Sequence, residues 1–197
     1  MKIGILAVQG DYEAHAAMVR QLGAEAVLVR APGDLASCAG LILPGGESTT
    51  QLQFLEEEGL AERVKQFAAD GGAIFGTCAG AILLADEVKN PAQRSLGLLN
   101  ATLARNAYGR QIASEVVAGN CKWKSGPMEM VFIRAPIIEK AGPGVEVVAE
   151  REGKPVLVQQ GRVLAATFHP ELTTDTTVHR HFLDLCDGAN GNGRAAG

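Results

Sequence analysis

The sequence contains no apolar run of the roughly 20 residues that a membrane-crossing helix needs, so no spanning helix is expected. It has no Cys-x-x-Cys pair. Its four cysteines, Cys38, Cys78, Cys121 and Cys186, stand far apart. That spacing argues against a zinc site or a disulfide framework, and neither a metal nor a cofactor is expected. No basic stretch stands out. The formal net charge is -4 with lysines and arginines scattered, which excludes the electrostatic footprint of a nucleic-acid binder. The Gly-Lys-Ser/Thr of a phosphate-binding P-loop is also missing. So are internal repeats and any linker that would divide the chain. The apolar start, residues 2–8, is too short for a signal peptide and stops at Gln9-Gly10-Asp11. It reads as a first core strand, and a cytoplasmic location is expected.

What is present suits one soluble domain. The chain has 197 residues, 47% hydrophobic and 20% charged, enough for a proper core. A single domain is expected over 1–187. The glycine-, asparagine- and alanine-rich stretch 188–197 is expected to be a disordered tail.

The first half alternates strand and helix. Residues 2–8, 26–29, 41–43 and 73–75 are short apolar runs of the kind buried on both faces of a parallel sheet. Asp11 can cap a helix through about Leu22, with Ala14, Met18, Val19 and Leu22 on its apolar face and Gly23 as its stop. Helical patterns cover about 49–57, 60–69 and 81–85. This order of elements predicts an α/β fold. In the second half, 98–105, 115–118, 131–134, 145–149, 155–159 and 163–168 read as strands, some antiparallel. Residues 173–186 read as a last helix capped by Thr173 or Thr174, with Val178, Phe182 and Leu185 at helical spacing.

Three segments carry chemistry. Gly76-Thr77-Cys78-Ala79-Gly80 lies between a strand and a helix. It is a thiol version of the nucleophile elbow: small residues let the chain turn sharply, and the helix N-terminus behind the sulfur favours a thiolate. A buried structural cysteine fits the pentapeptide equally well. Pro44-Gly45-Gly46-Glu47-Ser48 ends the preceding parallel strand, where open α/β sheets bind ligands. Its glycines can turn N–H groups toward a developing oxyanion, with the N–H of Ala79 as a second donor; a strand-to-helix turn that needs glycine for its dihedrals is the plainer reading. His169-Pro170-Glu171 follows a strand, and residues two apart in extended chain point the same way. Glu171 can then fix the tautomer of His169, leaving its other nitrogen for a thiol proton. His15, His179 and His181 lie in helical patterns without such a carboxylate and are expected to face solvent or pack. Arg105 and Arg134, at strand ends, can hold a carboxylate.

Taken in this order, the three segments resemble the class I, triad-type glutamine amidotransferases. Ala7-Val8-Gln9-Gly10-Asp11, Arg105-Asn106-Ala107-Tyr108-Gly109-Arg110-Gln111, Phe132-Ile133-Arg134-Ala135-Pro136 and Phe168-His169-Pro170-Glu171-Leu172-Thr173 are similar to the glutaminase subunits of two-subunit pyridoxal 5'-phosphate synthases. The resemblance covers about 2–186. Ile112-Ala113-Ser114-Glu115 lacks a phenylalanine often found after that serine, and Cys121-Lys122-Trp123-Lys124 is an atypical loop.

The resemblance implies a flavodoxin-like three-layer α/β/α fold with a mostly parallel sheet. It implies hydrolysis of L-glutamine by Cys78, His169 and Glu171, with an oxyanion hole from Gly45, Gly46 and Ala79. Glutamine would be held by Gly46, Glu47, Ser48, Arg105, Ile133 and Arg134. It further implies ammonia transfer to a (β/α)8-barrel synthase subunit, in a complex of twelve plus twelve subunits. Three alternatives stay open on the residues: the glutaminase of another amidotransferase, a γ-glutamyl hydrolase or cysteine peptidase on this fold, and a non-catalytic flavodoxin-like binding protein.

Overall fold

A computed structural model describes residues 1–105 and 114–191. Along the chain, β1 (Lys2–Leu6), α1 (Tyr12–Gln21), β2 (Glu25–Val29), β3 (Gly40–Leu43), α2 (Ser48–Glu57), α3 (Leu60–Ala69), β4 (Ala73–Thr77) and α4 (Ala79–Leu84) form the alternating half. Then come β5 (Ala85–Lys89), β6 (Leu99–Ala104), β7 (Glu115–Gly119), β8 (Met128–Phe132), β9 (Ile137–Ala141), β10 (Glu146–Arg151), β11 (Lys154–Gln160), β12 (Val163–Ala166) and α5 (Thr177–Gly191).

The main sheet has the order β10-β11-β12-β4-β3-β1-β2. From β2 to β12 every pairing is parallel, and β11 and β10 continue it antiparallel. The parallel part repeats the doubly wound 2-1-3-4-5 order. Side-chain alternation along each strand divides the core in two. Leu41, Leu43, Ile74 and Ala165 face α2, α3 and α4. Ile42, Ala73, Phe75, Leu164 and Ala166 face α1 and α5. This is the expected three-layer α/β/α arrangement. A smaller sheet, β5-β6-β9, and the β7–β8 hairpin complete the second half.

Several boundaries differ from the sequence expectations. α4 ends at Leu84, and Ala85 opens β5, where only Ala85 and Val88 are buried. β8 runs over Met128–Phe132 rather than 131–134, because Met128, Met130 and Phe132 alternate inward and Arg134 leaves the strand at φ 44°. Asp11 stands at the N-cap of α1 without a side-chain cap bond, and the fully buried positions are His15, Ala16, Met18 and Val19. Ala14 and Leu22 are only partly covered. α5 begins at Thr177, not near Thr173: Pro170–Leu172 form a 3₁₀ turn, and the Asp175 carboxylate accepts from both the N–H and the hydroxyl of Thr177. Residues 188–191, expected in the tail, form the last turn of α5, and 192–197 lie outside the described residues. No described helix is long and apolar enough to cross a membrane.

Candidate active site

The carboxyl ends of β3, β4 and β12 lie side by side, and each delivers one of the three segments. The backbone N–H of Cys78 donates to Ala166 O at 2.9 Å, fixing the elbow to β12. Cys78 itself has φ 47° and ψ -102°. A non-glycine residue there carries roughly 1–3 kcal/mol of strain, which the packing around it must offset. Gly80 makes that packing possible. A Cβ on it would fall 1.9 Å from Leu43 O, so only glycine lets α4 lie this close to β3.

His169 is anchored through its backbone N–H, which donates to Val131 O of β8 at 2.8 Å. Its Nδ1 lies 2.8 Å from Oε1 of Glu171. Extended chain would set these two side chains on one side by alternation. The structure instead joins the two through the 3₁₀ turn, with His169 at φ -110° and ψ 83°. Both residues are buried. Burial pulls the His169 imidazole down, but hydrogen bonding and charge from Cys78 and Glu171 outweigh it and push the pKa up to about 10. Burial raises Glu171, with the imidazole acting in the opposite direction. Asp11 brings a second carboxylate, its Oδ2 3.6 Å from His169 Nδ1.

Beside the thiol lies a small cavity of about 80 Å³. Gly46, Glu47, Ser48, Cys78, Ala79, Arg105, Ile133 and Arg134 all line it, together with Ile82 and Pro136. Every residue expected to hold substrate is therefore on its wall. Gly45 is not, but it lies against the His169 ring. Cys78 Sγ is 3.9 Å from Ile133 O. Arg105 donates to Glu47 Oε1 at 3.1 Å and to Thr49 Oγ1 at 3.2 Å. The rest of the string that begins at Arg105, Asn106 to Gln111, lies outside the described residues.

Two glutamines brace this rim: Gln9, from the Gln9-Gly10-Asp11 turn, and Gln51, which the sequence reading did not single out. Gln9 Oε1 accepts from the N–H of Glu47 at 2.8 Å. Gln51, fully buried, donates to the carbonyls of Gln9 and Pro44, both at 3.2 Å. Of the two roles expected for His15 and His179, solvent-facing or packing, the structure shows packing: both are fully buried behind Glu171. Each occupies the apolar stripe of its helix, a signal that periodicity does carry: His15 with Met18 and Val19, His179 with Phe182 and Cys186. His181 packs against Trp123 with ring centroids 3.6 Å apart.

Known proteins share both the sequence and the fold. The chain is 55% identical over 190 residues to the pyridoxal 5'-phosphate synthase subunit PdxT of Koribacter versatilis, covering 96% of this chain and 98% of that one. It is 50% identical over 190 residues to the PdxT subunit of Deinococcus radiodurans, covering 94% and 97%. A crystal structure of a glutamine amidotransferase superposes with TM-score 0.89 at 46% identity, covering 94% of this chain and 98% of that chain. PurLQS from Thermotoga maritima superposes with TM-score 0.70 at 18% identity over 93% and 97%, a likeness of fold alone. The SNO glutamine amidotransferase family matches residues 5–187, and the chain belongs to that family.

Proposed function

We propose that this chain is the glutaminase subunit of a pyridoxal 5'-phosphate synthase, converting L-glutamine and water to L-glutamate and ammonia. The observation that carries the reading is that Cys78 and Arg105 line one small polar cavity while the His169–Glu171 pair stands against the Cys78 thiol. At about 80 Å³ that cavity is far below the roughly 300–1,000 Å³ of sites for drug-sized ligands. A single amino acid suits it better than a peptide.

In this reading Cys78 Sγ gives up its proton to His169 and attacks the side-chain amide carbon of glutamine. The oxyanion that forms is met by N–H groups of Gly45, Gly46 and Ala79. Supporting this, the Gly45 carbonyl is turned toward Gly10 and Gln51, so the N–H of the same peptide, on Gly46, points the opposite way. His169 then passes the proton to the leaving nitrogen, the C–N bond breaks and ammonia departs. A γ-glutamyl thioester remains on Cys78. Water, deprotonated by His169, attacks the thioester and releases glutamate. Glu171 holds the imidazole in place and favours its charged form.

The substrate's own charges match the wall. Its ammonium faces Glu47 and its carboxylate faces Arg105 and Arg134. Ser48, Gly46 and the Ile133 backbone complete the site. Ammonia is of use only if it reaches an acceptor, and a synthase subunit that uses it is the partner. We assign that subunit a (β/α)8 barrel and the complex twelve copies of each chain. The test is glutamate release from L-glutamine with and without a purified synthase subunit, alongside Cys78→Ala. Activity that rises with the partner and vanishes in the variant supports the reading. Activity that persists in Cys78→Ala refutes it.

A further inference from the structure

We propose that His15 is a positioning residue of the thiol site: its Nε2–H supports the free oxygen of Glu171, and His179 behind it fixes the tautomer. The inference rests on the glutaminase reading for its kinetic consequences but not for its geometry.

Glu171 spends only one carboxylate oxygen on His169. The other, Oε2, is buried and makes no hydrogen bond of good geometry among the described residues. His15 Nε2 lies 3.4 Å from it, and 3.1 Å from Thr77 Oγ1. On the far side, His15 Nδ1 is 2.9 Å from His179 Nε2. The outer nitrogen of that second ring, His179 Nδ1, is buried with no partner among the described residues. Phe75 closes the pocket edge-on against both rings. All of this is fully sequestered from solvent, with His15 and His179 at 0% exposure.

A neutral imidazole carries one proton, so the chain of contacts has a direction. Two protonation patterns are possible. In one, His15 Nδ1–H donates to His179. Then His15 turns a bare lone pair toward the Glu171 carboxylate, and His179 must keep its proton on a nitrogen that has no acceptor. In the other, His179 Nε2–H donates to His15 Nδ1, and His15 Nε2–H donates to Thr77 Oγ1 with Glu171 Oε2 3.4 Å from the same nitrogen. This second pattern removes both faults: the carboxylate gains a donor, and the partnerless nitrogen is merely an unused acceptor. Burying an unpaired donor or opposing two lone pairs costs more than leaving one acceptor idle. Burial holds both rings neutral. It keeps His15 well below the ordinary imidazole range and takes His179 down to about 3.

The result is a line of polar groups, Cys78, His169, Glu171, His15, His179, that ties the elbow strand to both α1 and α5. Thr77, the residue before the nucleophile, is part of it. The ionisable groups around Glu171 are His169, His15 and Asp11. Of these, His15 is the buried neutral donor on the side away from the thiol.

The test compares His15→Phe, His15→Gln and wild type, each with the synthase subunit present. A phenylalanine keeps the ring and loses the donor, whereas a glutamine amide can place an N–H near the same point. The expected result is a kcat loss on the order of ten-fold in His15→Phe with KM within about two-fold, what one charge-assisted hydrogen bond acting through another residue is worth. His15→Gln recovers most of that rate. The acid limb of kcat/KM moves to higher pH in His15→Phe, because a carboxylate that loses a donor is easier to protonate. Equal losses in both variants with an unmoved pH profile would mean packing only and overturn the proposal. A second measurement needs no variant: ¹⁵N-histidine NMR of the wild type near neutral pH. It should show His15 neutral with its proton on Nε2, and a proton on Nδ1 overturns the arrangement. If wild type fails to release glutamate, the glutaminase reading fails while the tautomer result still decides the geometry.

Discussion

Gly45→Ala tests how tightly His169 is seated. A Cβ at Gly45 would lie 2.4 Å from His169 Cε1, 3.1 Å from Nδ1 and 3.4 Å from Nε2. Carbon atoms rest at about 3.5–4.0 Å, so ring or loop must yield by about an ångström. Gly45 is not among the left-handed residues, so alanine adds no backbone strain and the contact is the whole perturbation. Neither side yields easily. His169 is 3% exposed and tied to Glu171, while the Gly45 carbonyl lies against Gly10 and within 3.4 Å of the Gln51 amide. Misplacing a reacting group by about 1 Å costs on the order of 100-fold in rate, about 2.7 kcal/mol of barrier. Overpacking itself costs about 1–3 kcal/mol of stability, a Tm loss of several degrees for a chain of this size. Steady-state glutamate release and thermal unfolding read the two effects separately. Gly33→Ala, with no atom of the described residues within 4 Å of the added carbon, is the control and should change stability by no more than about 0.5 kcal/mol. A Gly45→Ala protein with wild-type kcat/KM would refute the claim that the ring position is fixed by this contact.

Other outcomes follow from the same geometry. Arg105→Lys loses the planar guanidinium, whose Nη2 alone reaches Glu47 and Thr49 and whose other donors are available to a carboxylate, and KM for glutamine should rise about ten-fold with a smaller change in kcat; an unchanged KM would remove Arg105 from the substrate wall. Asp175→Ala removes the acceptor for the Thr177 N–H and hydroxyl and for Lys124 Nζ, and should cost about 1–2 kcal/mol in urea unfolding with activity intact. His169 has its pKa raised from 6.5 to about 10 by Cys78 and Glu171 against the effect of burial. A raised group stabilises fully below its ordinary pKa and loses that contribution as pH climbs through the folded value. The stability gap between wild type and Glu171→Gln should therefore narrow between pH 6.5 and about 10; a gap that widens would contradict the assigned coupling.

The parallel half of the fold was legible because strands buried on both faces are continuous apolar runs, and glycine punctuates them. Gly71-Gly72 before β4 is one such case. β5 and β9 were missed for a physical reason: Ala85–Lys89 buries two residues and Ile137–Ala141 two, too few to stand out from turns. The start of α5 was misplaced because Thr173 and Thr174 are good cap residues, yet the Thr173 hydroxyl closes the preceding 3₁₀ turn by donating to Pro170 O. The oxygen of Thr173 accepts from Asp175 N–H, and Asp175 then caps the helix. Glu171 was correctly set beside His169, but by the wrong local geometry. For the buried histidines a packing role was among the expectations, but their contacts were not. A histidine on an apolar stripe is ambiguous in sequence, because periodicity shows that it is buried and not what it meets. Only the packing of α1 and α5 on the same face of β4 brings His15 and His179 together behind Glu171.

The most direct test of the account is to trap the acyl intermediate. The protein, with its synthase subunit, is mixed with isotopically labelled L-glutamine, quenched in acid within the first turnover and digested for mass spectrometry. One γ-glutamyl group is expected on the peptide that carries Cys78, lost on treatment with hydroxylamine and absent from Cys78→Ala. Label on another residue, or continued turnover in Cys78→Ala, would contradict it.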